Sequence, residues 1–401
     1  TIAKTVSTLK IRASYGQVGN VNIGDYPSLT LYSPSTYGGI ASLALSQTGN
    51  ADLRWETSKK TDIGFNLGLW ANRISVDADY YNNDINGLIL AAPQAPSKGI
   101  PGNSITTNIG SMYNRGIELD IQAHIIDKGK FRWTSGFNFS TLKNQVTTLA
   151  NNNADLWTSS TETSNITRVG YSVASVYVVK TTGVNPANGL RMYLNKAGET
   201  VQYNPVNGAW TYLSGTSAAA LDALNDGVIY GPSLPTYYGG FNNTFRYKGL
   251  DLYLNLVYSG GNKIYNGTKA TLLDNRFFNN QVDILRRWTT PGQVTDIPAL
   301  HYNDQQASGS VLPNSFNVED GGYIKLGTAS VGYTVPAKWY TKAGISSIRL
   351  YGSVNNIILY TKYTGSDPEI SANGDSNTAS GRDKNSVPAG KSFTLGLNVG
   401  F

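Results

Sequence analysis

The chain has 401 residues, 43 of them glycine and none cysteine, and 14% are charged, where soluble domains carry roughly 25%. Without cysteine there is no disulfide scaffold, thiolate metal site or cysteine nucleophile, and with His124 and His301 as the two imidazoles, transition-metal chemistry is nearly excluded. A net charge of +6, from 32 basic and 26 acidic residues scattered without like-charge blocks, leaves no nucleic-acid footprint.

The longest apolar runs, such as Ile357 to Tyr360, fall far below the ~18 to 20 residues of a membrane-spanning helix. Thr1 is not followed by a basic stretch and an apolar run, so no signal peptide is expected and the chain reads as a mature or internal fragment. Strands carry the pattern instead. From Thr61 to Trp70, Ile63, Phe65, Leu67 and Leu69 share one face while Asp62, Gly64, Asn66 and Gly68 share the other. Ile74, Val76, Ala78 and Tyr80 repeat the alternation after Ala71 to Arg73, which predicts a tight hairpin.

Ile117 to Ile125 and Phe131 to Phe139 predict a second hairpin, turning at Asp127 to Lys130. Tyr238 to Arg246 and Leu250 to Tyr258 predict a third, through Tyr247, Lys248 and Gly249. Ile348, Leu350 and Val354 mark another alternating face, and Phe393, Leu395, Leu397, Val399 and Phe401 close the chain. Short turns at Asn72, Gly129, Gly249 and Pro336 to Gly344 alternate with long polar connections at about 20–58, 83–107, 148–235, 267–316 and 361–389. Such one-sided loop length is the habit of a transmembrane β-barrel, and roughly ten antiparallel strands follow from it. The 148–235 connection holds β-like pieces of its own, Ser172 to Lys180 and a hairpin from Leu190 to Tyr203; if the former crossed the membrane, parity would raise the total to about twelve.

Alternation alone does not separate a barrel from a sandwich, since one turns its apolar face to lipid and the other inward. The 26 tyrosines and 7 tryptophans favour the barrel, because many sit at run ends, as Trp70, Tyr80, Tyr81, Tyr258, Trp339, Tyr340 and Tyr360 do. Amphipathic rings prefer the headgroup level. The terminal run, ending on an aromatic residue, reads as an outer-membrane assembly signal carried by residues 390–401.

The order of motifs near the end narrows the family. Val318 to Leu326 (VEDGGYIKL), Val331 to Pro336 (VGYTVP), Ile348 to Tyr351, Asn355-Asn356, Thr361 to Glu369 (TKYTGSDPE) and Phe393 to Leu397 resemble the SusC/RagA type of TonB-dependent outer-membrane transporter. Upstream, Asn50 to Thr57 (NADLRWET), Asp62 to Gly64, Asn114 to Glu118, Trp133, Asn138, Pro235, Gly239-Gly240 and Arg287-Trp288 before Pro291 agree. The resemblance implies an all-β fold in which residues 1–401 form the C-terminal part of a barrel of about 22 strands, with long extracellular loops and short periplasmic turns. The family's N-terminal TonB-contacting segment, plug and earlier strands have no counterpart in these residues, so this part alone is not expected to close the pore. The resemblance also implies import of oligomeric nutrients, glycans or peptides, with a SusD-like surface lipoprotein capping the loops, TonB, ExbB and ExbD pulling on the plug, and lipid around the wall.

Enzyme chemistry is not expected. His124 lies on the polar face of a strand and His301 in a loop, so neither sits in a hydrolase triad. Asp77 with Asp79 and Glu118 with Asp120 are acids of a solvated wall, although ~6.5 to 7 Å between such Cα atoms could suit a glycosidase. Asn225-Asp226-Gly227 loosely resembles a calcium loop but lacks its closing glutamate, and Asp222 to Gly231 reads as a turn. No metal or cofactor is expected. Trp157, Trp210, Tyr212 and Trp288 are the candidate loop contacts to ligand or partner, since flat apolar rings with polar rims can stack on sugar or grip peptide, while Trp288 also suits a loop anchor. Two other classes remain open: a barrel reused as a scaffold in a larger outer-membrane complex, and a secreted β-rich binding module that would need no detergent.

Overall fold

The computed structural model describes residues 5–20, 25–157, 164–276, 279–340, 344–374, 376 and 378–401. Wherever alternation is sustained, a long strand forms: β1 (Val6–Asn20), β2 (Glu56–Leu69), β3 (Ile74–Asn86), β4 (Ser111–Ile126), β5 (Phe131–Thr141), β6 (Tyr237–Tyr247), β7 (Leu250–Gly260), β8 (Tyr323–Thr334), β9 (Ser347–Thr361) and β10 (Ser392–Gly400). The chain divides into two compact units. The first comprises Thr1–Ile121, Ser140–Leu156 and Thr167–Val173, and the second Gln122–Phe139, Trp157–Ile166 and Ala174–Phe401.

In the first unit the long strands follow the hydrogen-bonded order β1-β2-β3-β4, with β4 belonging to it as far as Ile121. The β2–β3 register aligns Phe65 with Ala78 and Leu67 with Val76, so apolar residues meet across the pair on the face that holds Ile63. In the second unit the order is β5-β6-β7-β8-β9-β10. Tyr247 pairs with Leu250 around the Lys248-Gly249 turn, and both turn residues have positive φ, which such a tight connection requires. The turn from Pro336 to Gly344 includes residues 341–343, which lie outside the described ones.

One irregularity preserves the pattern. At Gly327 the pairing of β8 slips against both neighbours, with Leu326 opposite Leu256 but Thr328 opposite Asn255. The extra residue reverses parity. Ile324 and Leu326 before it, and Ala329, Val331 and Tyr333 after it, therefore all lie on the apolar side with Leu250, Leu252, Leu254 and Leu256.

Burial distinguishes barrel from sandwich. Among the described residues, none of the buried apolar side chains belongs to β1–β10; they lie in the connections, with Tyr193, Tyr265, Ile166, Ile264 and Ile297 the largest. The apolar strand faces are instead open to the surroundings, as at Ile63, Ile117, Ile324, Leu350 and Ile358. A sheet that exposes its apolar face and keeps polar residues on the other is built for lipid.

The long connections are not structureless. Thr181–Val184, Arg191–Leu194, Thr200–Asn204 and Ala209–Tyr212 form an antiparallel meander that includes the expected hairpin around Asn195 to Gly198. Ser175–Val179 is fully buried and pairs with Gly227–Gly231, so it adds no membrane strand, and among the described residues the long strands number ten. Lys263–Asn266 pairs antiparallel with Val318–Asp320 and parallel with Arg382–Asp383. The Asp222 to Gly231 stretch differs from the turn expected of it. Asp222 accepts from the Leu224 and Asn225 amides at 2.9 and 2.8 Å and caps a single helical turn, Ala223–Asp226, before Gly227–Gly231 extends as a strand.

Candidate functional site

Two structures carry polar side chains in quantity: the polar face of the wall and the packed connections of the second unit. On the wall of the first unit, Arg12, Gly64 and Asp79 stand in register on β1, β2 and β3. Because Gly64 has no side chain, the Arg12 guanidinium passes over β2 to Asp79, with Nε donating to Oδ1 at 3.0 Å and Nη2 donating to Oδ2. A Cβ on Gly64 would collide with the Asp79 carboxylate. Asp77 accepts from Asn66 and lies 3.9 Å from Arg12. The predicted acid pair thus holds an arginine across three strands.

The second unit repeats the device. Asp251 on β7 pairs with Gly332 on β8, and Arg349 on β9 crosses that glycine to donate to Asp251 Oδ2 at 2.6 Å. A side chain at Gly332 would meet both charged groups. Composition alone does not reveal these bridges. The available signal is a glycine on the polar face of an alternating strand, and it means little until the register is known. His124 lies on the same kind of face, with the Thr134 hydroxyl 3.4 Å from Nδ1.

The connections work differently. Val179, Tyr193, Val201, Trp210 and Leu312 form a buried cluster under the meander. Arg191 is buried beside it, and among the described residues no ion pair joins it to a carboxylate; its Nε donates to the Ala307 carbonyl at 2.6 Å, Nη2 to the Asp296 carbonyl at 3.2 Å, and the guanidinium lies 4.3 Å from the Phe316 ring centre. Burial pulls its pKa down, partly countered by the negative field of neighbouring groups. Lys269 reaches the same ring at 4.2 Å and pairs with Glu319 at 3.2 Å.

Two carboxylates in this region are pushed in opposite directions. Burial raises Asp304 above the usual carboxylate range, although it accepts from the Gln306 and Ala307 amides at 2.9 and 3.1 Å. Burial also acts upward on Asp274, but hydrogen bonds from Arg276, Ser310 and the Arg276 amide outweigh it and hold the group below that range. Tyr193 and Tyr265 donate to the Gln306 and Gly309 carbonyls at 2.8 and 2.6 Å, so the 304–310 segment is sewn to the strands beside it.

The four loop aromatics do not form one patch. Trp210 is buried, with ring centres 5.6 Å from Tyr193 and 5.3 Å from Tyr203, and Tyr212 packs half-buried against the same cluster. Trp288 donates to the Pro186 carbonyl at 2.9 Å and covers Gly189, anchoring that turn. Trp157 is half-buried in Leu156–Trp157, next to residues outside the described ones. His301 is half-buried beside Asp304 and Arg191. Among the described residues no cluster of acids and histidines could hold a metal ion. On β10, Phe393, Leu395, Leu397 and Val399 share one face, with Leu397 opposite Leu350 and Phe393 opposite Val354 on β9. Phe393 and Leu395 are 76% and 91% exposed, as a lipid-facing edge requires.

A wall of this kind, long strands with apolar residues outside and bridged charges on the other face, is matched over residues 5–357 by the family model described as TonB dependent receptor-like, beta-barrel. The chain belongs to this family of outer-membrane barrels. TonB-dependent receptor P3 of Formosa agariphila is 31% identical over 414 residues, covering 100% of this chain and 40% of that protein. TonB-dependent receptor SusC of Bacteroides thetaiotaomicron is 25% identical over 421 residues, covering 99% and 38%. The chain therefore spans about 40% of the length of the TonB-dependent receptors it matches. In fold, it superposes on a chain of the RagAB peptide transporter with a TM-score of 0.82 at 23% identity, over 99% of this chain and 41% of that one. The SusC/RagA resemblance of the motifs and the partial barrel expected from the strands both hold.

Proposed function

We propose that these residues form the barrel wall and loop assembly of a TonB-dependent importer of oligomeric nutrients, glycans or peptides, which acts by transport rather than by chemistry on its cargo. The observation that carries this reading is the wall: strands with apolar residues toward lipid and charged side chains bridged across glycines on the other face. Such a face suits a hydrated passage. The packed connections support docking of a SusD-like surface lipoprotein, since a partner needs a firm surface rather than loose loops. Trp157, Tyr212 and Trp288 are the aromatic contacts we assign to cargo or partner; Trp210 acts from beneath by supporting the meander. Force would come from TonB, ExbB and ExbD acting outside residues 1–401. In this reading Phe393, Leu395, Leu397, Val399 and Phe401 form the signal for outer-membrane assembly.

The test is purification of the native complex in detergent, followed by intact mass measurement and uptake assays with oligosaccharide and peptide mixtures. A co-purifying surface lipoprotein and uptake that stops when the proton gradient is collapsed are expected. A barrel found only among structural or assembly proteins, with no energised uptake, would replace import with a scaffold role. Separately, Phe401→Ser should sharply lower outer-membrane abundance; undiminished insertion would remove the assembly role.

A further inference from the structure

Within the second unit, a cavity of about 490 Å³ opens at the short-turn end of the wall. Its walls carry five cationic side chains, Lys130, Arg132, Arg246, Lys248 and Arg349, against one carboxylate, Asp251. Arg349 already engages that carboxylate at 2.6 Å. Arg132 has Asp127 at 3.9 Å, but both side chains are more than half exposed, where such a pair contributes little. Among the described residues no ion pair joins Lys130, Arg246 or Lys248 to an acid. A basin with this imbalance concentrates negative ligands.

Its dimensions select among anions. Arg132 stands on β5 and Arg349 on β9, four inter-strand steps apart in the order β5-β6-β7-β8-β9. At ~4.8 Å per step this is roughly 19 Å, too wide for one phosphate to bridge. Arg246 pairs with Asp251 in register, on the face opposite Leu250 and Leu252, so these two groups point away from the lipid side. The one aromatic residue in the lining, Tyr247, has the Lys248 ammonium 5.1 Å from its ring centre, which leaves no open ring for stacking on a sugar. Guanidinium forks at intervals match carboxylates at intervals.

We propose that this basic basin binds an acidic polypeptide segment, with several Asp or Glu carboxylates laid along the rim at the short-turn, periplasmic end of the wall. The inference rests on the wall and its sidedness, and stands whether the barrel imports or scaffolds.

Zero-length carbodiimide coupling tests it, applied to the full-length protein in outer-membrane vesicles and mapped by mass spectrometry, because the reagent joins an ammonium only to a carboxylate in contact. The expected product links Lys130 or Lys248 Nζ to an Asp or Glu in an acidic stretch outside residues 1–401, at a yield that falls several-fold in high salt. Arg246→Glu should lower that yield at least five-fold while the barrel keeps its heat-dependent gel shift. Arg246→Gln, a milder change, should lower it less. Products confined to Asp127 or Asp251 would overturn the proposal. So would suppression by inorganic phosphate beyond that of chloride at equal ionic strength, which would mark a small-anion site, or a yield indifferent to both substitutions.

Discussion

The wall and the connections of the second unit both hold arginines, yet by different means. Arg349 lies on a partly open face and takes a carboxylate two strands away, over a glycine. Arg191 is buried and is held by backbone carbonyls and a phenylalanine ring. The first arrangement needs only correct strand register. The second needs a particular loop path, because carbonyls at 296 and 307 must converge on one side chain. Charge on the wall can therefore vary with its partner strand, whereas charge in the connections is part of their packing.

The comparison is broken most strongly at the lipid face. Leu254→Arg should cost about 2 to 4 kcal/mol in a bilayer, whereas Asn255→Arg on the polar face should cost far less. Equal costs, measured by reversible unfolding in lipid, would contradict the assigned faces. In the connections, Asp274→Asn removes the partner of Arg276 at a fully buried carboxylate and should destabilise that region by about 2 to 3 kcal/mol. Since Asp274 is held below its ordinary range, its contribution is present above roughly pH 4 and is lost as pH falls through its folded-state value. Lower hydrogen-exchange protection at 274–276 and 308–310, referred to the intrinsic rate at each pH, both in the variant and on acidification, is the expected readout.

A smaller effect is expected where the wall depends on glycine. Gly332→Ala should displace Arg349 from Asp251 and cost about 1 to 2 kcal/mol, while Gly344→Ala, with no atom near its Cβ position, should act only through its positive φ. An Arg349→Gln background should absorb most of the Gly332 effect, as a double-mutant cycle would reveal. The smallest is Asp304→Asn, within about 0.5 kcal/mol at neutral pH, since the amide oxygen still accepts from Gln306 and Ala307 and burial no longer penalises a charge. Asp304 is raised in the folded chain, so its contribution is greatest in acid and is lost as pH rises through the folded value. A gain in protection at 306–307 in acid, referred to the intrinsic rate at each pH, for the parent chain but not for Asp304→Asn, is the matching observation.

Much of the wall was legible from period two, because a strand with one face in lipid must alternate. The Ile63 to Leu69 and Leu250 to Tyr258 runs and their turns sit where the pattern places them. The small sheets in the connections were visible only in part. For Ser172 to Lys180 the sequence leaves a membrane strand open as an alternative, since a short apolar run does not by itself say where it is buried, and only the pairing of Ser175–Val179 with Gly227–Gly231 decides. Side-chain roles were less accessible. Trp288, which also suits a loop anchor in sequence, pins a turn, whereas nothing in the sequence tells that Trp210 lies inside a cluster. Arg191 gave no signal because its partners are backbone atoms, which every residue has. The basic basin escapes the sequence for a related reason: its cations come from three separate stretches, around residues 131, 247 and 349, which only the strand order brings to one end of the wall.

The slip at Gly327 makes β8 a sentence read in two frames. Upstream of it the even-numbered residues face lipid, and downstream the odd-numbered ones do. Removing that single residue would leave every letter unchanged yet put the two halves out of phase, turning either Ile324 and Leu326 or Val331 and Tyr333 toward the polar side. Length, more than chemistry, is what evolution must guard at this position: a substitution there alters one contact, whereas a deletion rewrites a whole strand.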